Sequence, residues 1–251
     1  MIRSLLIAVQ FLTRLPVSGS LVASQEEIAK SVGFFPLIGI AIGSVGALLY
    51  TGLIQFLPVT TSVLLVLIYS ALVTGGFHED GLADSLDGLG GGWTKEDKLR
   101  IMRDSRIGTF GTLGLIFLIL AKYNLLSMLE WSRLWRWLIV AHAASRWTTI
   151  PLCIWLPYAR KQGQGGLVAR RIRWQEAVIA TLTLLIASLL LPYREILFAL
   201  TITIGVVLIS GFYYRRQLNG ITGDCLGATN QLTEVALYFT SVVLSRVWTT
   251  I

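Results

Sequence analysis

Asp80, Asp84 and Asp87 fall at i, i+4 and i+7 in the stretch Gly75-Gly76-Phe77-His78-Glu79-Asp80-Gly81-Leu82-Ala83-Asp84-Ser85-Leu86-Asp87-Gly88. On a helix that spacing gathers the carboxylates into a narrow arc, while Leu82, Leu86 and Leu89 form an apolar back. Like charges a turn apart repel, and the arrangement is stable when a cation sits among them. Oxygen donors with one nearby histidine and no cysteine suit Mg²⁺, or Mn²⁺, better than zinc. A lone carboxylate beside an apolar segment is usually a solvated surface group. A whole stripe on one face, bracketed by glycines that let a ligand approach the backbone, points to a metal site instead. His78 has three readings at this stage: metal ligand, proton acceptor, or a histidine satisfied at an interface.

Downstream, Lys95-Glu96-Asp97-Lys98-Leu99-Arg100-Ile101-Met102-Arg103-Asp104-Ser105-Arg106-Ile107-Gly108-Thr109-Phe110-Gly111 leads into an apolar run. Lys95 and Lys98 read as anchors beside a membrane. Arg103, Asp104 and Arg106 lie nearest both the run and the acidic stripe, and the planar fork of arginine suits bidentate bonding to phosphate, so these are the anion-binding candidates. A third group lies in Asn219-Gly220-Ile221-Thr222-Gly223-Asp224-Cys225-Leu226-Gly227-Ala228-Thr229-Asn230-Gln231-Leu232-Thr233-Glu234. Asp224 is placed to cap a helix. Gly227, Asn230, Gln231 and Glu234 then form a polar stripe running into an apolar segment, where polar side chains are costly and by default mark a site. His142 and Arg146 sit one turn apart within another apolar run. An arginine there needs a partner, either a carboxylate such as Glu234 or a ligand phosphate.

Composition indicates which elements hold these groups. The 251 residues are 54% hydrophobic and only 14% charged, with mean hydropathy +0.69. That is too apolar for an ordinary soluble domain and predicts an all-α fold, a polytopic integral membrane helical bundle. A span needs roughly 20 mainly apolar residues. Six or seven stretches qualify as transmembrane helices: 33–57, 60–77, 107–129, 134–156, 176–192, 196–213 and, with polar residues at its start, 227–247. No interval is long enough for a separate soluble domain, so residues 1–251 read as a single membrane-embedded catalytic domain. Met1 to Val17 reads as an N-terminal interfacial helix rather than a signal peptide, because Gln10 and Arg14 interrupt its apolar run and no convincing cleavage site follows. Ser24-Gln25-Glu26-Glu27 has the capping-box pattern. Cys153 and Cys225 lack CxxC spacing, which supports neither a disulfide framework nor a zinc site.

The net charge of +7 would suit nucleic acid, but the basic residues crowd into short inter-helix segments, so no nucleic-acid partner is expected. In a seven-span arrangement Arg3, Arg14 and Lys30, then Lys95, Lys98, Arg100, Arg103 and Arg106, then Arg160, Lys161, Arg170, Arg171 and Arg173, and finally Arg215 and Arg216 all share one side. Arg133, Arg136, Arg194 and Arg246 take the other. The positive-inside rule makes the first side cytoplasmic, and the same topology puts Asp224 on the face that carries Asp80, Asp84 and Asp87. Trp131, Trp135 and Trp137 are expected at one interface, Trp155 and Trp174 at the other.

The strings GGFHEDGLADSLDG, KLRIMRDSRIGTFG, PYAR (Pro157 to Arg160) and GITGDCLGATNQLTE, in this order, resemble the cobalamin (5′-phosphate) synthase family, the adenosylcobinamide-GDP ribazoletransferases, over most of the chain. The family usually has an aliphatic residue where this chain has Glu79. The resemblance implies an enzyme of the prokaryotic cytoplasmic (inner) membrane, its active site facing the cytoplasm, that joins adenosylcobinamide-GDP to α-ribazole or its 5′-phosphate and releases GMP. The bilayer is its setting, and a homo-oligomer or a complex with other corrin-pathway enzymes is compatible with that. On this reading Asp80, Asp84, Asp87 and Asp224 bind Mg²⁺, and Arg103 and Arg106 hold the diphosphate. Asp104, Arg146, Arg160, Asn230, Gln231 and Glu234 complete the substrate-binding set, and His78 or one of the aspartates accepts the acceptor's proton. A CDP-alcohol phosphotransferase is the nearest rival, but its Asp-Gly-x-x-Ala-Arg segment is not met, since Gly81 is followed by Leu82-Ala83-Asp84. A transporter lined by His142, Arg146 and Glu234 is the other, against which the charges crowd one face and no internal repeat is seen.

Overall fold

A computed structural model describes residues 1–17, 22–160 and 172–248. Lys161, Arg170 and Arg171, which enter the charge asymmetry above, lie outside the described residues. The chain runs through α1 (Ile2–Leu12), α2 (Gln25–Ser31), α3 (Phe35–Leu53), α4 (Val59–Thr74), α5 (Phe77–Gly91), α6 (Lys95–Ile101), α7 (Thr109–Ser127), α8 (Trp131–Trp147), α9 (Thr149–Trp155), α10 (Trp174–Ser188), α11 (Tyr193–Leu218) and α12 (Gly223–Trp248). It is an all-helical membrane bundle, and each apolar stretch of the sequence is helical. Gln25–Leu53, Thr109–Ser127 and Tyr193–Leu218 are each long and apolar enough to cross a bilayer, and α4 with α5 qualifies as a bent pair. The other apolar segments are shorter or more polar: α8 stops at 17 residues, α10 at 15, and α12 carries Asn230, Gln231 and Glu234 in its first half.

Local sequence explains the entry to the bundle. The Glu27 N–H donates to Ser24 Oγ at 3.3 Å while the Ser24 N–H donates to Glu27 Oε2 at 2.9 Å, the reciprocal capping box that starts α2. α1 buries Ile7, Ala8 and Leu12, and its inner face packs on Val32, Phe35 and Ile38. In the centre, α3 and α8 touch backbone to backbone: a Cβ on Gly43 would stand 2.8 Å from Ile139 Cα, and one on Gly39 3.0 Å from Ala143 Cα. Around that seam lies the main core, including Leu134, Leu138, Leu237 and Tyr238. Trp137 belongs to this core and not to an interfacial belt. It is fully buried, and its indole N–H donates to Glu195 Oε2 at 2.9 Å, an internal carboxylate that also pairs with Arg133 at 2.7 Å.

The two ends of the bundle are built differently. At one, the Arg14 N–H donates to the Val73 carbonyl (2.8 Å), Lys98 Nζ to Gln217 Oε1 (2.5 Å), and a parallel bridge joins Tyr158 to Ile221. These contacts bring the acidic stripe, the arginine loop, the PYAR segment and the start of α12 to the same end. At the other, Tyr50 stacks on Trp131 with centroids 5.5 Å apart and Arg133 donates to the Ser241 carbonyl at 3.4 Å.

Candidate active site

The site begins with a turn. Gly75 and Gly76 take φ values of 67° and 69°, left-handed backbone that only glycine adopts freely. They close α4 through Gly75 N–H to Leu72 O (3.1 Å) and Gly76 N–H to Ala71 O (2.8 Å). α5 therefore leaves at 86° to α4 and carries its carboxylates outside the apolar segment that precedes it. A second pair of glycines sets its neighbour. A Cβ on Gly81 would stand 3.2 Å from Gly227 Cα and 3.1 Å from the Asp224 carbonyl, so bare backbone on both helices lets α5 lie directly on the start of α12.

That approach brings distant acids together. Asp80 is exposed and Asp84 half-buried. Burial first, then the charges of Asp80 and Asp224, push Asp84 up to about 7. Asp224 is also raised, by burial, against the opposing pull of Arg160. Arg160 Nη2 donates to Asp224 Oδ2 at 2.6 Å, and Thr222 Oγ1 donates to the same oxygen at 3.2 Å. Arg160 is delivered there by the bridge, in which the Ala159 N–H meets Ile221 O at 2.8 Å and the Ile221 N–H meets Pro157 O at 2.9 Å.

Asp87 occupies a different position. It is buried, with Oδ2 accepting from the Gly108 N–H (2.7 Å) and Oδ1 from the Gly111 N–H (2.8 Å). From α5 it thus caps the first turn of α7, satisfying amides that the Gly108 cap position has no side chain to reach. In the α6–α7 loop, Arg103 and Arg106 are exposed. Arg106 Nε and Nη2 grip Asp104 at 2.9 and 2.6 Å, and this pairing draws Asp104 down to about 2. Between loop and stripe lies a cavity of about 500 Å³ lined by Arg14, Phe77, Glu79, Asp80, Asp84 and Ser105. It is the size of a small-molecule site.

Behind the cavity runs a buried network. Glu234 accepts from Lys122 Nζ (2.5 Å), from Ser145 Oγ (3.2 Å) and from Arg146 Nη1. Gln231 accepts from Lys122 and passes its own Nε2–H to Glu79 Oε1 at 3.2 Å. His142 Nδ1 lies 3.3 Å from the Tyr238 hydroxyl. Arg146, Gln231 and Glu234, which sequence reasoning placed in the substrate-binding set, are here held by protein partners in the interior. His78 and Asn230 are buried too, with His78 Nδ1 and Asn230 Oδ1 free of hydrogen bonds. Sequence reasoning missed Lys122 altogether; a solitary charge in α7 was the available signal.

Among the described residues no group of three His, Cys, Asp or Glu side chains forms a ready-made metal cage. Asp80 and Asp84, with Glu79, are the carboxylates that line the cavity; Asp224 lies close enough to act on Asp84 but has one oxygen held by Arg160, and Asp87 is engaged by amides. An all-oxygen donor set, in which neighbouring acids raise Asp84, suits a hard dication. Cys153 and Cys225 are both buried free thiols.

A membrane bundle with a carboxylate-lined cavity at one end has the form of an enzyme that handles charged groups beside the bilayer. The chain belongs to the family described as cobalamin-5-phosphate synthase, whose sequence model it matches over residues 4–242. Among its relatives, the adenosylcobinamide-GDP ribazoletransferase of Shewanella woodyi is 40% identical over 239 residues, covering 92% of each chain. That of Ralstonia pickettii is 39% identical over 92% of this chain and 91% of its own, and that of Shewanella baltica (strain OS155) 35% identical over 96% and 94%. No solved structure shows significant similarity.

Proposed function

We propose that this chain transfers the adenosylcobinamide-phosphate group of adenosylcobinamide-GDP to α-ribazole or its 5′-phosphate and releases GMP, the last step of cobalamin assembly. The observation that carries this is the family match over residues 4–242, joined by relatives of that name along nearly the whole chain. In the reaction an acceptor hydroxyl oxygen attacks the phosphorus attached to cobinamide. The bond from that phosphorus to the bridging oxygen breaks, GMP leaves with the electron pair, and the hydroxyl proton passes to a carboxylate of the stripe. Exposed Asp80 and half-buried Asp84 are the groups a substrate meets in the cavity, whereas His78 is 4% exposed and stands behind them. Asp80, Asp84 and Asp224 would hold Mg²⁺, which when bound supplies charge neutralisation for the diphosphate. Arg103 and Arg106 are exposed on the loop whose Ser105 and Ile107 line the cavity, and Arg106 would exchange Asp104 for phosphate as the donor arrives. Arg146, Gln231 and Glu234 hold α5, α7, α8 and α12 in register. A transporter would expose such charges along a path; here they are paired with one another. The one-sided basic residues support a seven-span arrangement in the inner membrane with this cavity on the cytoplasmic face.

GMP release from detergent-purified protein, with and without Mg²⁺, tests the assignment. Asp84→Asn and Asp224→Asn, shown to be folded and inserted, should each lose at least ~100-fold in turnover. Normal magnesium-dependent turnover in both variants would overturn it.

A further inference from the structure

We propose that Arg14, two residues past the end of α1, binds the diphosphate of the nucleotide-activated donor; this rests on the reaction assigned above. Arg14 lines the cavity together with Asp80, Asp84 and Ser105. It is exposed, and among the described residues its side chain makes no hydrogen bond or ion pair, although Glu79, Asp80 and Asp84 line the same space. Carboxylates lining a cavity repel a diphosphate, and a guanidinium in the same lining gives the anion a partner with matching fork geometry. Arg106 must first give up Asp104 to reach the anion, whereas Arg14 has no such contact to break among the described residues. Arg14 is not free to wander. Its N–H donates to the Val73 carbonyl at 2.8 Å, and Phe11, in the last turn of α1, stacks on Phe35 (centroids 5.5 Å) and meets Phe77 edge-on (5.7 Å). Its stem lies across Gly75, where a Cβ would come within 2.8 Å of Arg14 Cγ and 3.0 Å of Cδ. The glycine that turns the chain into α5 therefore also seats the arginine, fixing its position before the donor arrives.

Equilibrium dialysis of radiolabelled adenosylcobinamide-GDP, without acceptor, against wild type, Arg14→Gln and Arg14→Lys tests this. Removing a charge-assisted partner should weaken donor binding ~10–100-fold in Arg14→Gln, with Arg14→Lys between. In turnover the KM for donor should rise by a similar factor while the KM for α-ribazole stays within about twofold. Donor binding equal to wild type in a folded Arg14→Gln protein overturns the inference. If that variant does not fold, phenylglyoxal labelling of unsubstituted protein, read by peptide mass spectrometry, decides. Donor should protect Arg14 several-fold, and equal labelling with and without donor overturns the inference. Failure of the reaction assignment looks different: wild type binds donor, Arg14→Gln does not, and neither releases GMP.

Discussion

Asp84 stands where burial and two neighbouring acids act on the same carboxyl, and without metal they raise it from 3.8 to about 7. Between those values the folded protein keeps a proton that the unfolded chain has released. Its contribution to stability is therefore full at low pH, declines as pH rises through that window, and stays low above it. Thermal unfolding of metal-free protein should show a Tm that falls between about pH 4 and pH 7, and Asp84→Asn should flatten the fall. An unchanged slope in the variant would refute the charge crowding. Glu234 is the anion between Lys122 and Arg146. Glu234→Ala leaves two buried cations facing each other and should cost about 3–5 kcal/mol. Lys122→Met leaves the Arg146 pair intact and should cost less; equal Tm shifts would show that the network is not built around Glu234. The sequence made the stripe of Asp80, Asp84 and Asp87 legible, since helical periodicity alone aligns it. It hid the role of Asp87, whose partners are backbone amides at Gly108 and Gly111, and it hid Lys122, which vanishes into the mean hydropathy of α7.

At the level of elements, the site depends on how closely α5 and α12 approach. The Gly81 and Gly227 backbones leave no space for a branched side chain, and the neighbouring atoms are main chain that cannot move aside. Gly227→Val should separate the helices, part Asp84 from Asp224 and lower turnover by more than ~100-fold while the protein still inserts. Wild-type turnover in that variant would show that the contact does not set the geometry. The helices themselves were readable from apolar periodicity, as was the capping box at Ser24, although the expected 60–77 span ran on through Gly75-Gly76, where the structure ends α4 at Thr74. The 86° turn was not readable, because two left-handed glycines specify a change of direction and tertiary packing sets its size. Trp137 was misread for a related reason. Proximity to a helix end suggested an interface, but the partner that holds it inside, Glu195, lies on another element.

Across the whole molecule, the predicted topology puts Ser105 and Ser132 on opposite sides of the bilayer. Buried Cys153 and Cys225 leave little background, so Ser105→Cys and Ser132→Cys can be labelled with an impermeant maleimide in vesicles of known sidedness. Labelling from the same side would refute the arrangement. Fold class was plain from composition, whereas the number of crossings was less so, because α8, α10 and α12 do not individually resemble an apolar span.

The short α4 also has a consequence for where catalysis takes place. Its 16 residues rise only about 24 Å, less than the ~30 Å thickness of bilayer hydrocarbon. On the seven-span arrangement proposed above, so short a helix holds the platform close to the hydrocarbon boundary rather than out in the aqueous phase. Thicker acyl chains would submerge the platform and thinner ones would lift it clear, so turnover in reconstituted vesicles should pass through a maximum as chain length is varied.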